Sequence, residues 1–187
     1  MRTALAFAAA LSLSAGAAYA DKLQDAEAAF AEYEEATALR LYTEVIAEAG
    51  ADAKMKASAL FGRGEVYAAN GRCEPAVQDF DAALALPMAA PQRATALFSR
   101  AECHSRGGKP DLALADYGES LKLAPDQLGV HTARGNLLQK LGRKDEALVE
   151  FEAELKRRPD NYRAKVGRAV ILGLPLPPDP EEGRRSR

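Results

Sequence analysis

The sequence predicts an all-α fold, a solenoid of helix–turn–helix units that ends in a capping helix. An arginine recurs at intervals of 37, 34 and 34 residues. A glycine follows each of the first three arginines after eight residues, and an aromatic side chain follows after seventeen. The three columns are Arg63, Arg100, Arg134 and Arg168; Gly71, Gly108 and Gly142; and Phe80, Tyr117 and Phe151. A period of this length accommodates two helices and a turn, which makes a helical repeat the expected architecture.

Residues 1–20, MRTALAFAAALSLSAGAAYA, have the pattern of a signal peptide. Arg2 precedes an apolar run, and small residues lead to AYA directly before Asp21, which is typical of a signal-peptidase site. A retained N-terminal anchor is the alternative. We expect cleavage after residue 20 and a periplasmic or secreted protein.

The remaining chain, 21–187, has the length of one domain, and no later run is apolar enough to predict a membrane span. The net charge of the full chain is −2, which does not indicate a nucleic-acid-binding protein. The charge is uneven, since residues 21–52 contain nine acidic and two basic side chains. Two differently charged solvated faces explain this asymmetry.

The predicted elements follow one another between 21 and 173. Residues 21–52 form a degenerate repeat that lacks the glycine turn, and three full repeats follow at 56–88, 93–127 and 128–161. The segment PMAAPQR lengthens the connection between the first two full repeats by three residues. A capping helix over 161–173 restarts the pattern, and the proline-rich and charged tail 174–187 is expected to be disordered.

The columns suit two closely packed antiparallel helices. Small residues (Gly64, Ala101, Gly135) allow close approach, a glycine ends the first helix, an aromatic fills the space between the helices, and Pro125 and Pro159 end two of the units. With its 34-residue period the pattern resembles the tetratricopeptide repeat family. The resemblance implies a right-handed α-solenoid whose first helices line a concave groove. It also places Glu154 where a small residue is usual, so looser packing is expected there.

The arginine column needs its own explanation, because a charge is unusual beside an apolar stripe. Each of the three full repeats has an acidic residue sixteen positions after its arginine. Those positions lie at similar heights in an antiparallel pair, so we predict the structural ion pairs Arg63–Asp79, Arg100–Asp116 and Arg134–Glu150. A cationic ladder for a polyanion is the alternative. Arg168 has no acidic residue sixteen positions further on.

The resemblance also implies which residues contact a partner in the groove. They are Phe61, Glu65, Phe98, Glu102, Arg106, Thr132, Asn136 and Lys140. Alternatively, both phenylalanines pack between repeats. The lysine/asparagine clamp with which some family members hold a C-terminal carboxylate is not expected, because Phe61 and Glu65 occupy its first two positions.

The chain has two cysteines, Cys73 and Cys103. Export to an oxidising compartment, together with the family's packing of each first helix on the preceding pair, predicts a disulfide between them. Two packed free thiols are the alternative. With His104 and His131 they match no usual zinc spacing, so no metal site is expected. The sequence shows no catalytic motif, and neither an enzyme nor a cofactor is predicted.

These features together favour an exported scaffold that binds a segment of another protein in its concave groove. A self-associating array and a non-catalytic subunit of an envelope enzyme or assembly complex are the alternatives, with a monomer favoured. The resemblance leaves the identity of the partner open.

Overall fold

The computed structural model describes residues 18–48 and 52–180, which form nine helices. The predicted signal segment 1–20 lies outside the described residues except for positions 18–20, which begin the first helix. The helices are α1 (18–31), α2 (Glu35–Ala47), α3 (Ala53–Ala69), α4 (Cys73–Leu84), α5 (Ala90–Arg106), α6 (Pro110–Leu123), α7 (Val130–Lys140), α8 (Lys144–Arg157) and α9 (Tyr162–Leu172). None of them is long and apolar enough to cross a membrane.

Successive helices pack as pairs, and the pairs stack in chain order. α3 packs against α4, α5 against α6, and α7 against α8, while α9 covers the last pair. The first helices of the units also contact one another, α3 with α5, α5 with α7 and α7 with α9. They therefore form one face of the array, and the predicted helical-repeat solenoid is confirmed.

The helix ends follow local side-chain and backbone chemistry. Asp52 accepts a 2.7 Å hydrogen bond from the Met55 amide at the start of α3, and Asn161 accepts one of 3.1 Å from the Ala164 amide at the start of α9. α3 and α5 each begin three residues before the predicted unit boundaries at 56 and 93. Part of the insertion therefore extends α5, whose first turn includes Pro91 and tolerates its missing amide hydrogen.

Each unit places a ring over a small residue of a first helix. A Cβ on Gly64 would lie 2.7 Å from the Phe80 ring, and one on Gly135 would lie 2.8 Å from the Phe151 ring. Gly167 of α9 approaches Phe151 even more closely, at 2.4 Å. Phe151 is thus enclosed between two glycines of successive first helices, with no exposed surface. These contacts explain why small residues alternate with aromatic residues along the repeat.

The column arginines lie between the two helices of their own units. Arg63 donates from Nε and Nη2 to the two Asp79 carboxylate oxygens at 2.8 and 2.7 Å. Arg100 contacts Asp116 in the same bidentate manner at 2.8 and 2.6 Å. The acidic side chains are almost fully buried, so the arginines balance carboxylate charges inside the helix pairs.

Two arginines also reach the preceding unit. Arg63 donates from Nη1 to the Thr43 hydroxyl at 3.1 Å, and Arg100 donates from Nη1 to Asp81 at 2.6 Å. We call these two contacts the arginine bridges. Each joins neighbouring units through the same guanidinium that pairs the helices within a unit.

The third and fourth arginines differ from the first two. Arg134 contacts Glu150 through Nη1 only, at 3.1 Å, and its buried Nε–H has no partner among the described residues. His131 Nδ1 lies 2.8 Å from the other Glu150 oxygen and shares the carboxylate. Arg168 lies 3.8 Å from Glu152 on the exposed surface, a partner that precedes it by sixteen residues.

We expect Arg100 and Asp116 to be energetically coupled. A double-mutant cycle to alanine should give about 1–3 kcal/mol, because the pair is bidentate and mostly shielded from water. The exposed pair Lys122–Glu119 is the control and should give less than about 0.5 kcal/mol. Urea unfolding followed by circular dichroism measures both cycles. Equal coupling in the two would contradict a structural role for the buried pair.

The C-terminal end closes with α9 and an extended segment. Gly173 has φ +65°, and the Leu174 amide donates to the Ala169 carbonyl at 2.9 Å, which ends α9. Leu174, Pro175 and Pro177 lie beside Leu155 and Pro159 around a cavity of 380 Å³. Residues 174–180 contain no helix. The remainder of the predicted tail, 181–187, is outside the described residues.

Candidate functional site

A cavity of 390 Å³ lies on the concave face, between the first helices α5, α7 and α9. Its walls come from the inner sides of these helices and from Tyr117, Arg158 and Asn161. A smaller cavity of 190 Å³ lies between α1, α3 and α5 and shares Glu102 and Arg106 with the larger one. We call the two together the concave groove. It follows the stacking direction of the units.

Six of the eight predicted groove residues line the larger cavity. They are Phe98, Glu102, Arg106, Thr132, Asn136 and Lys140. Glu65 lines only the smaller cavity, and Phe61 lines neither. The structure therefore brings the α5 and α7 residues together and places the two α3 residues apart from them.

The two phenylalanines of one repeat position have different surroundings. Phe61 is half-buried against Phe80 of its own unit, with ring centroids 6.2 Å apart, and packs on the apolar cluster shared by α4 and α5. Phe98 lies 6.0 Å from the Tyr117 ring and also forms a wall of the larger cavity. Phe98 therefore combines packing with a surface that a ligand can contact, whereas Phe61 contributes to packing.

Glu65 lies at the smaller cavity and is mostly shielded from solvent. Its Oε1 is buried without a hydrogen-bond partner among the described residues. Burial raises the pKa of the Glu65 carboxyl, and the hydrogen bond with Ser99 opposes that increase. A raised pKa in the folded state favours the protonated form. The protonated Glu65 carboxyl stabilises the fold relative to the ionised one, because no charge is then buried. This stabilisation is fully present below the ordinary pKa of 4.5 and is lost as pH rises through the folded-state pKa of Glu65.

Glu65→Gln should consequently raise the melting temperature at pH 7, by about 2–4 °C if the buried charge costs about 1 kcal/mol. The difference from the wild-type protein should disappear below pH 4.5, where both side chains are neutral. Glu119→Gln on the exposed surface of α6 is the control. Thermal melts across this pH range make the measurement. A destabilised Glu65→Gln protein at pH 7 would contradict the assigned cost of burial.

Positive charge dominates the lining of the larger cavity. Four cations line it, Arg106, Lys140, Arg158 and Arg163, against the single carboxylate of Glu102. The charge of Arg158 is balanced by the buried Glu154 carboxylate, so three cations remain. Arg106 is 57% exposed, and its nearest carboxylate oxygen, on Glu102, is 4.0 Å away. Lys140 and Arg163 are exposed at the rim. These three cations face solvent at the mouth of the cavity.

Glu102 is held in place by the aromatic residue behind it. The Tyr117 hydroxyl donates a short hydrogen bond to Oε1 of Glu102. Burial raises the pKa of Tyr117, and the bond to Glu102 adds to the increase, so the hydroxyl remains a donor. The sequence predicted Tyr117 only as a core ring. A tyrosine in a column of phenylalanines is the signal that its hydroxyl has a separate contact.

Two of the lining residues, Arg158 and Asn161, are held by a buried carboxylate at the α8–α9 joint. Glu154 is 2% exposed and accepts hydrogen bonds from Arg158 Nε and Asn161 Nδ2, both at 2.7 Å. Asn161 also donates to the Thr132 hydroxyl at 3.4 Å. The polar network therefore fills the place where the sequence predicted looser packing. Arg158 and Asn161 lie in the connection between α8 and α9 and belong to none of the repeat columns, so the columns gave no indication of them.

Cys73 and Cys103 lie together beside a cavity of 250 Å³ between α4 and the C-terminal end of α5, and Cys103 also lines the smaller cavity of the concave groove. Both are free cysteines in the structure, and the predicted disulfide stays a prediction. Burial raises the pKa of the Cys103 thiol to about 12, and its hydrogen bond with Cys73 adds to the increase. His104 is buried, 3.9 Å from Asp116. Within residues 18–48 and 52–180, no cluster of three or more His, Cys, Asp or Glu side chains is placed to hold a metal ion.

Comparisons with known proteins agree with this architecture. The sequence profile of the tetratricopeptide repeat matches residues 69–127 and 132–172. No curated protein sequence matches the chain.

Several solved structures have the same fold at low sequence identity. MamA, known from a crystal structure, is 15% identical to this chain in sequence. The similar region covers 83% of this chain and 81% of the MamA chain, with a TM-score of 0.72. YrrB, described as a repeat protein with an unusual peptide-binding site, is 22% identical over 81% of this chain and 75% of its own, with a TM-score of 0.68. The first repeat domain of Spaghetti (RPAP3), bound to the HSP90 peptide SRMEEVD, is 22% identical and covers 64% of this chain and 95% of its own, with a TM-score of 0.58.

Proposed function

The chain belongs to the tetratricopeptide repeat family, and from this premise we propose that it is an exported scaffold that binds an extended segment of a partner protein in the concave groove. The observation that carries the proposal is the larger cavity, where six predicted contact residues meet on α5 and α7. Repeat arrays of this kind bind through such extended concave surfaces. A protein or peptide is therefore the expected ligand class.

The groove has the chemistry that an extended peptide requires. Asn136 is exposed within it, and an amide side chain both donates to and accepts from a peptide backbone. Phe98 and Leu137 add apolar surface for the side chains of the ligand. Alternating polar and apolar contacts of this type give affinity and orientation to a bound segment.

Two structural neighbours support the ligand class. One is described as having a peptide-binding site, and the other was solved with a peptide bound. Because both are below 25% identity, they support peptide binding as a property of the fold and not a particular partner. The ligand of this chain has to be derived from its own residues.

Site-specific photo-crosslinking tests the proposal. Benzoylphenylalanine in place of Asn136 places the reactive group in the groove, and the same group in place of Val149 lies on the exposed outer surface of α8. With a pool of random short peptides, we expect adducts at position 136 and few at position 149. Equal labelling at both positions, or none at either, would contradict a peptide-binding groove.

Export rests on the charge, apolar run and AYA sequence of residues 1–20. Export also leads to a testable prediction for the redox state of the cysteine pair. In an oxidising compartment Cys73 and Cys103 should form a disulfide, which closes a loop of about 30 residues and contributes about 3–4 kcal/mol in the chain-entropy model.

Thiol titration of the unfolded, unreduced protein decides the redox state. Protein recovered from the periplasm should have no free thiol, and protein kept in the cytosol by removal of residues 2–20 should have both. N-terminal sequencing of the exported form should begin at Asp21. Two free thiols in the exported protein would contradict the disulfide, and an intact N-terminus would contradict cleavage.

A further inference from the structure

We propose that the larger cavity, between α5, α7 and α9, selects acidic extended peptide segments. The inference rests on the proposed function and specifies its ligand. The segment would place carboxylates against Arg106, Lys140 and Arg163 and an apolar side chain against Phe98 and Leu137. This assigns recognition to the C-terminal half of the groove.

Positive charge is concentrated at the larger cavity. The whole protein is slightly acidic, with a net charge of −2, yet the cavity lining has three uncompensated cations against one carboxylate. The fourth cation, Arg158, is paired with the buried Glu154 carboxylate and is not counted. Most arginines on the first helices point elsewhere, since Arg63 and Arg100 are paired inside their units. The rim cations are therefore a local concentration of positive charge within an acidic protein. Such a site attracts anionic segments and repels cationic ones.

The cations of the larger cavity surround an apolar centre. Arg106 lies near the end of α5 and Lys140 at the end of α7, while Arg163 lies in the first turn of α9. Phe98, Ala133 and Leu137 lie in the same cavity. An acidic residue next to an apolar residue in the ligand would satisfy both parts of this surface. A volume of 390 Å³ takes a few side chains and not a folded domain.

The carboxylate in the cavity lining favours a peptide over other polyanions. Glu102 is fixed by Tyr117 beside Arg106 and presents an acceptor within the positive site. A peptide supplies backbone N–H groups to such an acceptor, whereas a phosphodiester backbone supplies only acceptors. The acidic character of the whole chain also opposes binding of a long polyanion. Peptide carboxylates therefore fit the lining better than phosphates.

Fluorescence anisotropy with matched peptides tests the inference. An Asp/Glu-rich peptide with one leucine is compared with the same peptide in which every acid is replaced by its amide, and with a Lys-rich version. We expect the acidic peptide to bind at least about tenfold more tightly at low salt than the amide version, since several charge contacts act together. Raising the salt from about 0.1 M to about 1 M should remove most of the difference, because screening becomes effective within about 3 Å.

Neutralising variants locate the site. Lys140→Gln with Arg163→Gln should weaken the acidic peptide about fivefold to tenfold and weaken the amide peptide much less, as expected for exposed charge contacts. Lys156→Gln, on the exposed surface of α8 outside the cavity, is the matched control and should leave both affinities unchanged. The exposed positions make unfolding of these variants unexpected, and thermal melts check it.

The outcomes separate this inference from the proposed function. If amide and acidic peptides bind equally and crosslink at position 136, the groove binds peptides but the acidic preference is wrong. If no peptide binds, both fail. If single-stranded DNA binds more tightly than the acidic peptide, the peptide assignment is overturned. If the protein dimerises and Lys140→Gln with Arg163→Gln abolishes the dimer, the occupant is the acidic N-terminal region of a second copy and the inference is wrong.

Discussion

Phe151→Ala should lower the free energy of unfolding by about 3–5 kcal/mol, the largest loss expected from a single substitution in this chain. The ring is fully buried and lies between Gly135 of α7 and Gly167 of α9. Both glycines lack the atoms needed to fill the space that alanine would leave. The cavity would therefore persist at the joint of two units, and both neighbouring interfaces would be weakened.

Val149→Ala is the matched control, because Val149 is on the same helix but 63% exposed. It should change stability by less than about 0.5 kcal/mol. Urea unfolding monitored by circular dichroism gives both values. A small effect of Phe151→Ala would show that the last unit does not limit the stability of the array.

Removing α9 should have a comparable or larger effect. A chain that ends at Asp160 loses the helix that covers Phe151, and it also loses Asn161, which donates to the buried Glu154 carboxylate. We expect a loss of at least about 3 kcal/mol, since burial of one large apolar side chain contributes about 1.5–3 kcal/mol and a buried charge also loses a donor. The exposed face should also promote aggregation, because terminal repeats need a covering helix.

A chain that ends at Gly173 is the control for this deletion. It retains α9 and removes only the extended segment, so its melting temperature should stay close to that of the full chain. Calorimetry and light scattering compare the three proteins. Equal melting temperatures for the two truncated chains would remove the capping role of α9.

The repeat architecture was predictable because it depends on short-range spacing. The arginine, glycine and aromatic columns fix which faces of successive helices meet, and the close contacts of Gly64 and Gly135 with rings show the physical reason for the pattern. The positions of Asp79 and Asp116 relative to their arginines follow from the same antiparallel geometry. The local sequence pattern and the packing of the repeats favour the same structure here, so the columns were sufficient to predict the helix pairs.

The groove was predictable only in part, because it depends on what covers each first helix. Phe61 and Phe98 share a repeat position, yet only Phe98 reaches the larger cavity. Glu65 is buried where α1, α3 and α5 meet, and the first of these belongs to the degenerate repeat without the usual columns. Arg158 and Asn161 lie in the connection between α8 and α9, at positions that belong to none of the columns. Such residues become part of a site through stacking between units, which a column pattern does not describe.

The arginine bridges influence which helices of the array unfold together. Arg63 and Arg100 each tie a unit to the one before it, whereas Arg134 pairs with its own Glu150 and has a buried Nε–H without a partner among the described residues. In a quasi-one-dimensional array, stability is a sum of unit and interface terms. The interface before α7 has no arginine bridge, and Arg157 of α8 reaches across it to the exposed residues Pro125 and Asp126. Because exposed ion pairs contribute little, we expect this interface to be the boundary between cooperative blocks. We expect amide hydrogens of α7, α8 and α9 to exchange through a shared opening that leaves α3 to α6 closed. The larger cavity spans that boundary, and an occupant that contacts both α5 and α7 would couple the opening of the two blocks.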